Sequence, residues 1–211
     1  MKTELLTVSK IFHESIFRIP DYQRGYSWGK QHLQDFWSDI EQLDLEKSHY
    51  TGVITLESVP ESSWTSWSDD TWIIRSRRYT PYYVVDGQQR LTTISILIHC
   101  IISKCKELGI SSINYTPISD VQRKYIFDTR EDELIRSYIF GYEKDNPSYE
   151  HLKTEIFDEI SEGHHPEENT IYTKNLDEAK RFFMEKIQNF SAEEINHIYS
   201  KITQQLVFNA Y

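Results

Sequence analysis

Val84-Val85-Asp86-Gly87-Gln88-Gln89-Arg90-Leu91-Thr92-Thr93 decides how this chain folds. A β-branched run stops and a glycine permits a tight turn. Leu91, Ile94, Leu97, Ile98, Ile101, Ile102, Cys105 and Leu108 then recur at helical spacing. Their apolar face is too wide for a surface helix, which predicts a central core helix that stops at Gly109. A strand running straight into a helix aims free backbone N–H groups and the positive end of the helix dipole at one point, which suits phosphate. Arg90 adds a forked cation able to hold phosphate oxygens bidentately. Gln88 and Gln89 can donate to oxygens or orient a water, and Thr92 and Thr93 sit in the first helical turn. Asp86 is the one local carboxylate for Mg²⁺ or a ribose hydroxyl. The competing reading is a plain turn whose Asp86 caps the helix, because the stretch lacks the lysine and the glycine-rich length of a P-loop.

Upstream, Ile19-Pro20-Asp21-Tyr22-Gln23-Arg24-Gly25-Tyr26-Ser27-Trp28 places another arginine among aromatics, again just before a helix. Tyr22 or Trp28 can stack on a base while Arg24 meets phosphate; the alternative is an exposed turn with aromatic packing. Phe17-Arg18-Ile19 before it reads as a short strand that Pro20 ends. Leu5 to Phe12 has a weak helical pattern. Ser27 is the expected N-cap of an amphipathic helix carrying Leu33, Phe36, Trp37, Ile40 and Leu43 on one stripe. Tyr50 to Leu56 is β-branched and reads as a strand.

Between that strand and the core helix, residues 58–71 are rich in Ser, Asp and Trp. A surface loop anchored by Trp64, Trp67 and Trp72 competes with an aromatic and arginine surface for bases or a partner. Ile73-Ile74 and Tyr82 to Val85 bracket Arg75, Arg77 and Arg78, which suggests a hairpin. After Gly109, Tyr125-Ile126-Phe127 and Leu134 to Tyr138 fit strand or helix equally. Tyr149 to Phe157 reads as a helix and Ser161 to Asn169 as a polar loop. Leu176, Ala179, Phe182, Phe183 and Ile187 mark another helix, and Ile195, Ile198, Tyr199, Ile202 and Leu206 a last one.

The 211 residues are 38% hydrophobic, 27% charged and 14% aromatic, enough for one sizeable core and unlike a disordered chain. The longest apolar run, broken by His99, is too short for a bilayer, and no basic-then-apolar signal segment opens the chain. A cytoplasmic protein without membrane contact is the expectation. Cys100 and Cys105 are about 140° apart on a helix, so reduced buried thiols are expected rather than a disulfide. Of the net charge of −10, residues 1–110 carry 12 Lys and Arg against 14 Asp and Glu, and residues 111–211 carry 11 against 19. Such a surface repels nucleic acid at long range and excludes a general DNA coat.

Phe17 to Trp28, the amphipathic helix, Tyr50-Thr51-Gly52-Val53-Ile54 and Val85 to Thr93 together resemble, in order and spacing, the N-terminal domain of GmrSD-type restriction endonucleases. The resemblance is sharp over residues 5–108 and faint beyond. It implies an α+β fold: a ParB/sulfiredoxin-like small mixed sheet with a central core helix over residues 1–110, and a mainly helical, truncated extension over 111–211. It also implies nucleotide binding and hydrolysis that regulate a defence nuclease. The implied site joins Tyr22, Gln23 and Arg24 to Asp86, Gly87, Gln88, Gln89 and Arg90.

Relatives of this kind continue into a Phe-Glu-x-x-Asn-x-x-Gly-like element and often an HNH-type nuclease domain. Here the sequence ends at Val207-Phe208-Asn209-Ala210-Tyr211, and His151 and His164-His165 lack nuclease spacing. The expectation is a nucleoside triphosphatase without DNA cleavage of its own, partnered with a nuclease domain or subunit. A nucleotide sensor without turnover and a reader of modified DNA are the alternatives.

Overall fold

The computed structural model describes residues 4–44, 46–130, 135–159 and 170–211. In chain order the elements are β1 (Glu4–Thr7), α1 (Val8–Ile11), β2 (Ser15–Ile19), α2 (Lys30–Gln42), β3 (His49–Ser58), α3 (Glu61–Trp64) and α4 (Thr71–Ser76). Then come β4 (Thr80–Asp86), α5 (Gln88–Glu107), β5 (Ser112–Ile113), β6 (Thr116–Pro117), α6 (Ile118–Tyr125), β7 (Phe127–Thr129), β8 (Arg136–Tyr138) and β9 (Phe140–Tyr142). The rest comprises α7 (Ser148–His151) with a π-helical turn at Leu152–Ile156, α8 (Ile171–Ile187), α9 (Ala192–Ser200) with a second π-helical turn at Lys201–Gln205, and β10 (Leu206–Ala210). The fold is α+β around a mixed six-stranded sheet of order β1-β10-β3-β4-β2-β9. β9 and β10, from beyond residue 110, lie in the same sheet as β2, β3 and β4.

β2, β4 and β9 are mutually parallel, so their carboxyl ends at Ile19, Asp86 and Tyr142 share one edge of the sheet. Ligands of open parallel sheets collect outside such ends, because the loops and helix starts gather there. Phe17 pairs with Tyr82 and Arg18 with Tyr83, so these pairs face opposite sides of the sheet. One side meets α5, whose residues Leu91 to Ile102 are all buried, with α6, α8 and α9 against it. On the other side lies the chain between β3 and β4, where Trp67 packs edge-on to Tyr83 and Arg18 pairs with Asp70.

Several expectations change here. Leu5 to Phe12 is not one helix: Glu4–Thr7 pairs antiparallel with β10, and only Val8–Ile11 is helical. The hairpin around Arg75 to Arg78 is absent, since Ile73 and Ile74 are buried in α4. Tertiary burial has overridden their β preference. Residues 58–71 form a short helix and turns in which Trp64 and Trp67 pack partly buried against the core, as Trp72 of α4 does. Ser27 is not the N-cap of α2; Gly29 is. Leu206 leaves the last helix and starts a strand. Phe127 and Arg136 to Tyr138 resolve as strands β7 and β8, while Tyr125 ends α6. The loop expected at Ser161 to Asn169 lies outside the described residues, as does Leu134. Cys100 and Cys105 are free and buried. Among the described residues no helix is long and apolar enough to cross a membrane.

Candidate functional site

Gly87 makes the turn between β4 and α5 with φ of 88°, a left-handed conformation that a side chain resists. A Cβ there would also lie 3.0 Å from Ile54 and 3.1 Å from the Val53 carbonyl. The turn therefore needs glycine twice over. Among the described residues no side chain caps α5, and Asp86 Oδ1 accepts only from Gly87 N, at 2.8 Å. The first intrahelical bond is Leu91 N to Gly87 O, and among the described residues the N–H groups of Gln88, Gln89 and Arg90 have no partner. A 20-residue helix thus begins with its donors unpaired at the carboxyl edge of three parallel strands.

The loop after β2 is laced to this turn. The register of β4 against β3 steps by one at Val85. That step frees the Val85 carbonyl, which accepts from Gln23 Nε2 at 3.0 Å. Gln88 Nε2 donates to Arg24 O at 3.3 Å. Gln89 donates to Gly25 O at 3.2 Å and accepts from Ser27 N at 2.8 Å. Tyr26 OH and Thr93 Oγ1 meet at 2.7 Å beneath the seam, and burial drives the phenol pKa upward. The two stretches read from the sequence therefore meet in space.

Their side chains divide by role. Tyr22, Arg24 and Asp86 are exposed and flank the Gln23–Val85 bond. Gln88 is buried, and its Oε1, turned away from the Arg24 carbonyl, has no partner among the described residues. Arg90 is half-buried and reaches towards β3, with Nη1 3.5 Å from Val53 O. Thr92 and Thr93 are buried and donate to the Gln88 and Gln89 carbonyls, each at 2.8 Å. Trp28 stacks on His32 and meets Phe36 edge-on, so its ring packs against α2.

The distant start of α8 completes the wall. Asn175 Nδ2 donates to Tyr26 O at 3.1 Å, and a Cβ on Gly25 would fall 2.6 Å from Tyr172 Cγ. Nothing in the sequence near Tyr172 signals this contact.

This assembly of strand, glycine turn and laced loop spans most of the chain, and a family comparison covers the same extent. The model for the GmrSD restriction endonuclease, N-terminal domain, matches residues 5–210. The chain belongs to this family. GmrSD-type membership places it as a component of a restriction, anti-phage defence system. Comparison with individually curated proteins gives no match. The family match extends well past residue 108, where the sequence resemblance fades, and takes in Tyr172, Asn175 and β10.

As for a cation, no group of three or more His, Cys, Asp or Glu is placed to hold a metal among the described residues. Asp86 alone offers an exposed carboxylate at the turn. Its second oxygen takes part in no hydrogen bond or ion pair among the described residues. One carboxylate suffices for Mg²⁺ when phosphate oxygens and waters supply the remaining ligands.

Around the Trp-rich segment, Arg18 lies 5.5 Å from the Trp67 ring centre and Arg75 5.6 Å from that of Trp64. Each of these two indoles thus already has an arginine against its ring.

Proposed function

We propose that this domain binds a nucleoside triphosphate at the seam between residues 22–28 and 86–93 and hydrolyses it, as the regulatory step of a restriction system. The uncapped start of α5, laced to the Arg24 loop and flanked by Arg90, is the observation that carries this reading. Unpaired N–H groups and the helix dipole favour a polyphosphate there, and Arg90 and Arg24 supply cations on its two sides. Tyr22 offers a free aromatic face for a base. Asp86 would hold Mg²⁺, which when bound neutralises phosphate charge. Gln88 Oε1, held as an acceptor by the Arg24 carbonyl but shielded from solvent, would orient a water admitted as the nucleotide binds. The core that carries the site is taken to be ParB/sulfiredoxin-like, and the output is control of a nuclease domain or subunit acting on modified DNA in the cytoplasm.

The test is phosphate release from GTP, ATP, CTP and UTP with Mg²⁺, beside calorimetric binding of each. Release above a no-enzyme control, lost in Arg90→Ala, supports the reading. Binding without release would make the domain a sensor, and no binding of any of the four would remove the nucleotide.

A further inference from the structure

Resting on the nucleotide reading above, we infer that Gly52 is a positioning residue that fixes the guanidinium of Arg90. A Cβ on Gly52 would lie 3.1 Å from Arg90 Cζ and 3.2 Å from both Nη1 and Nη2. Three nearly equal distances mean that the guanidinium presents its flat face to the place where a Gly52 Cβ would stand. Gly52 has φ of 131°, a conformation that side chains avoid. It also sits where β3 bulges. Val207 of β10 pairs with Tyr50 and Phe208 with Gly52, leaving Thr51 as the extra residue. Bulges bend a strand and re-aim what lies beside it.

Among the described residues, the only hydrogen bond made by the Arg90 fork is the 3.5 Å contact to Val53 O, too long to orient five donors. The bare backbone of the bulge is therefore what sets the plane of the fork. It leaves Arg90 able to offer a fixed pair of N–H groups to phosphate instead of sampling rotamers. Because β10 forms the other side of the bulge, a strand far along the sequence from both Gly52 and Arg90 shapes the arginine seat.

Three proteins test this: Gly52→Ala, Arg90→Ala and the double variant. Each is measured for calorimetric affinity towards the four ribonucleoside triphosphates with Mg²⁺, and for the ¹H–¹⁵N signal of Arg90 Nε. The seat predicts that Gly52→Ala shifts and broadens the Arg90 signal and weakens binding by about tenfold or more. The double variant should bind no worse than Arg90→Ala alone. An unmoved Arg90 signal in folded Gly52→Ala, or losses that simply multiply in the double variant, would overturn it. If Gly52→Ala does not fold, Arg90→Lys decides: lysine keeps the charge without the plane, so affinity equal to the wild type overturns the seat and a loss close to that of Arg90→Ala supports it. The NMR signal needs no nucleotide. Nucleotide affinity unchanged in Arg90→Ala would therefore fail the site reading while leaving the seat to be judged by that signal.

Discussion

Gln89 holds Ser27 from across the seam: its Oε1 accepts from Ser27 N at 2.8 Å while its Nε2 donates to Gly25 O at 3.2 Å. One amide thus joins the loop after β2 to the first turn of α5 by a donor and an acceptor at once. Gln89→Leu leaves both loop groups without their partner, at a cost of about 1–3 kcal/mol. Gln89→Glu keeps the acceptor for Ser27 but turns a carboxylate oxygen on the Gly25 carbonyl. Both variants should unfold at lower denaturant and bind nucleotide more weakly, with the loop's amide protons exchanging faster. Unchanged exchange at Ser27 would show that the amide does not hold the loop.

Asp86 should matter for turnover more than for affinity. It is exposed, so Asp86→Asn leaves the fold alone and keeps an acceptor for Gly87 N. If the carboxylate holds Mg²⁺, the variant should lose about tenfold or more in phosphate release, with a smaller change in affinity. EDTA should abolish release by the wild type. Undiminished activity in EDTA would take the metal out of the mechanism.

The parts of this fold that were legible in the sequence are those fixed by neighbours in the chain. The Val84–Val85–Asp86–Gly87 break and the apolar run after it announce α5 because a glycine turn and helical spacing are local facts. The missed parts depend on long-range pairing. Leu206 continues the spacing of α9, yet the π-helical turn at Lys201–Gln205 shifts the phase and releases the chain into β10. β1 forms only because β10 is there to pair with it. Ile73 and Ile74 look like a strand but are buried as helix beside Asp70, the partner of Arg18. At the site, the meeting of the two stretches was foreseen as a possibility. The roles of Ser27, Gly52, Tyr172 and Asn175 were not, because each acts through a contact with a residue distant in sequence. Ser27, expected to cap α2, instead gives its N–H to Gln89.

A buried ion pair anchors the opposite face of the sheet. Arg18 Nη2 lies 2.5 Å from Asp70 Oδ2, with side chains 6% and 10% exposed, and Arg18 Nη1 donates to Phe17 O at 2.7 Å. Asp70→Ala strands a guanidinium away from water and should cost about 3–5 kcal/mol in denaturant unfolding. Arg18→Met combined with Asp70→Leu removes both charges and should recover most of that loss. A double variant as unstable as Asp70→Ala would mean that packing, not the stranded charge, sets the cost.

His99 gives the fold an acid-sensitive point. Burial in α5 pushes its pKa below the ordinary 6.5, Lys180 and Lys106 add to the push, and Asp158 opposes it from 3.0 Å. A depressed folded value means that the unfolded chain takes up the proton first. Stability from this group is therefore full above its unfolded pKa and is lost as pH falls from there through the folded value. The melting temperature of the wild type should fall more steeply than that of His99→Gln between about pH 7.5 and about 5.5. Parallel curves would remove His99 from the acid response.

The sharpest test of a shared site sets Arg24 against Arg90. Their motifs are bonded to one another through Gln23–Val85 and Gln88–Arg24, so the backbone segments that carry the two arginines meet at one seam. Arg24 is exposed and Arg90 half-buried against β3. Neither truncation opens a cavity in the core, so affinity can be read without a folding penalty. Each single loss should weaken nucleotide binding by about 1.5–3 kcal/mol, the range for a charge-assisted hydrogen bond. If one polyphosphate spans both, removing either arginine lets it shift off the other, and the double variant should lose less than the sum of the singles. Losses that add within about 0.5 kcal/mol would place the two on separate ligands. In that event the Asp86–Arg90 turn keeps the phosphate, and Tyr22 to Arg24 become a surface for DNA or a partner.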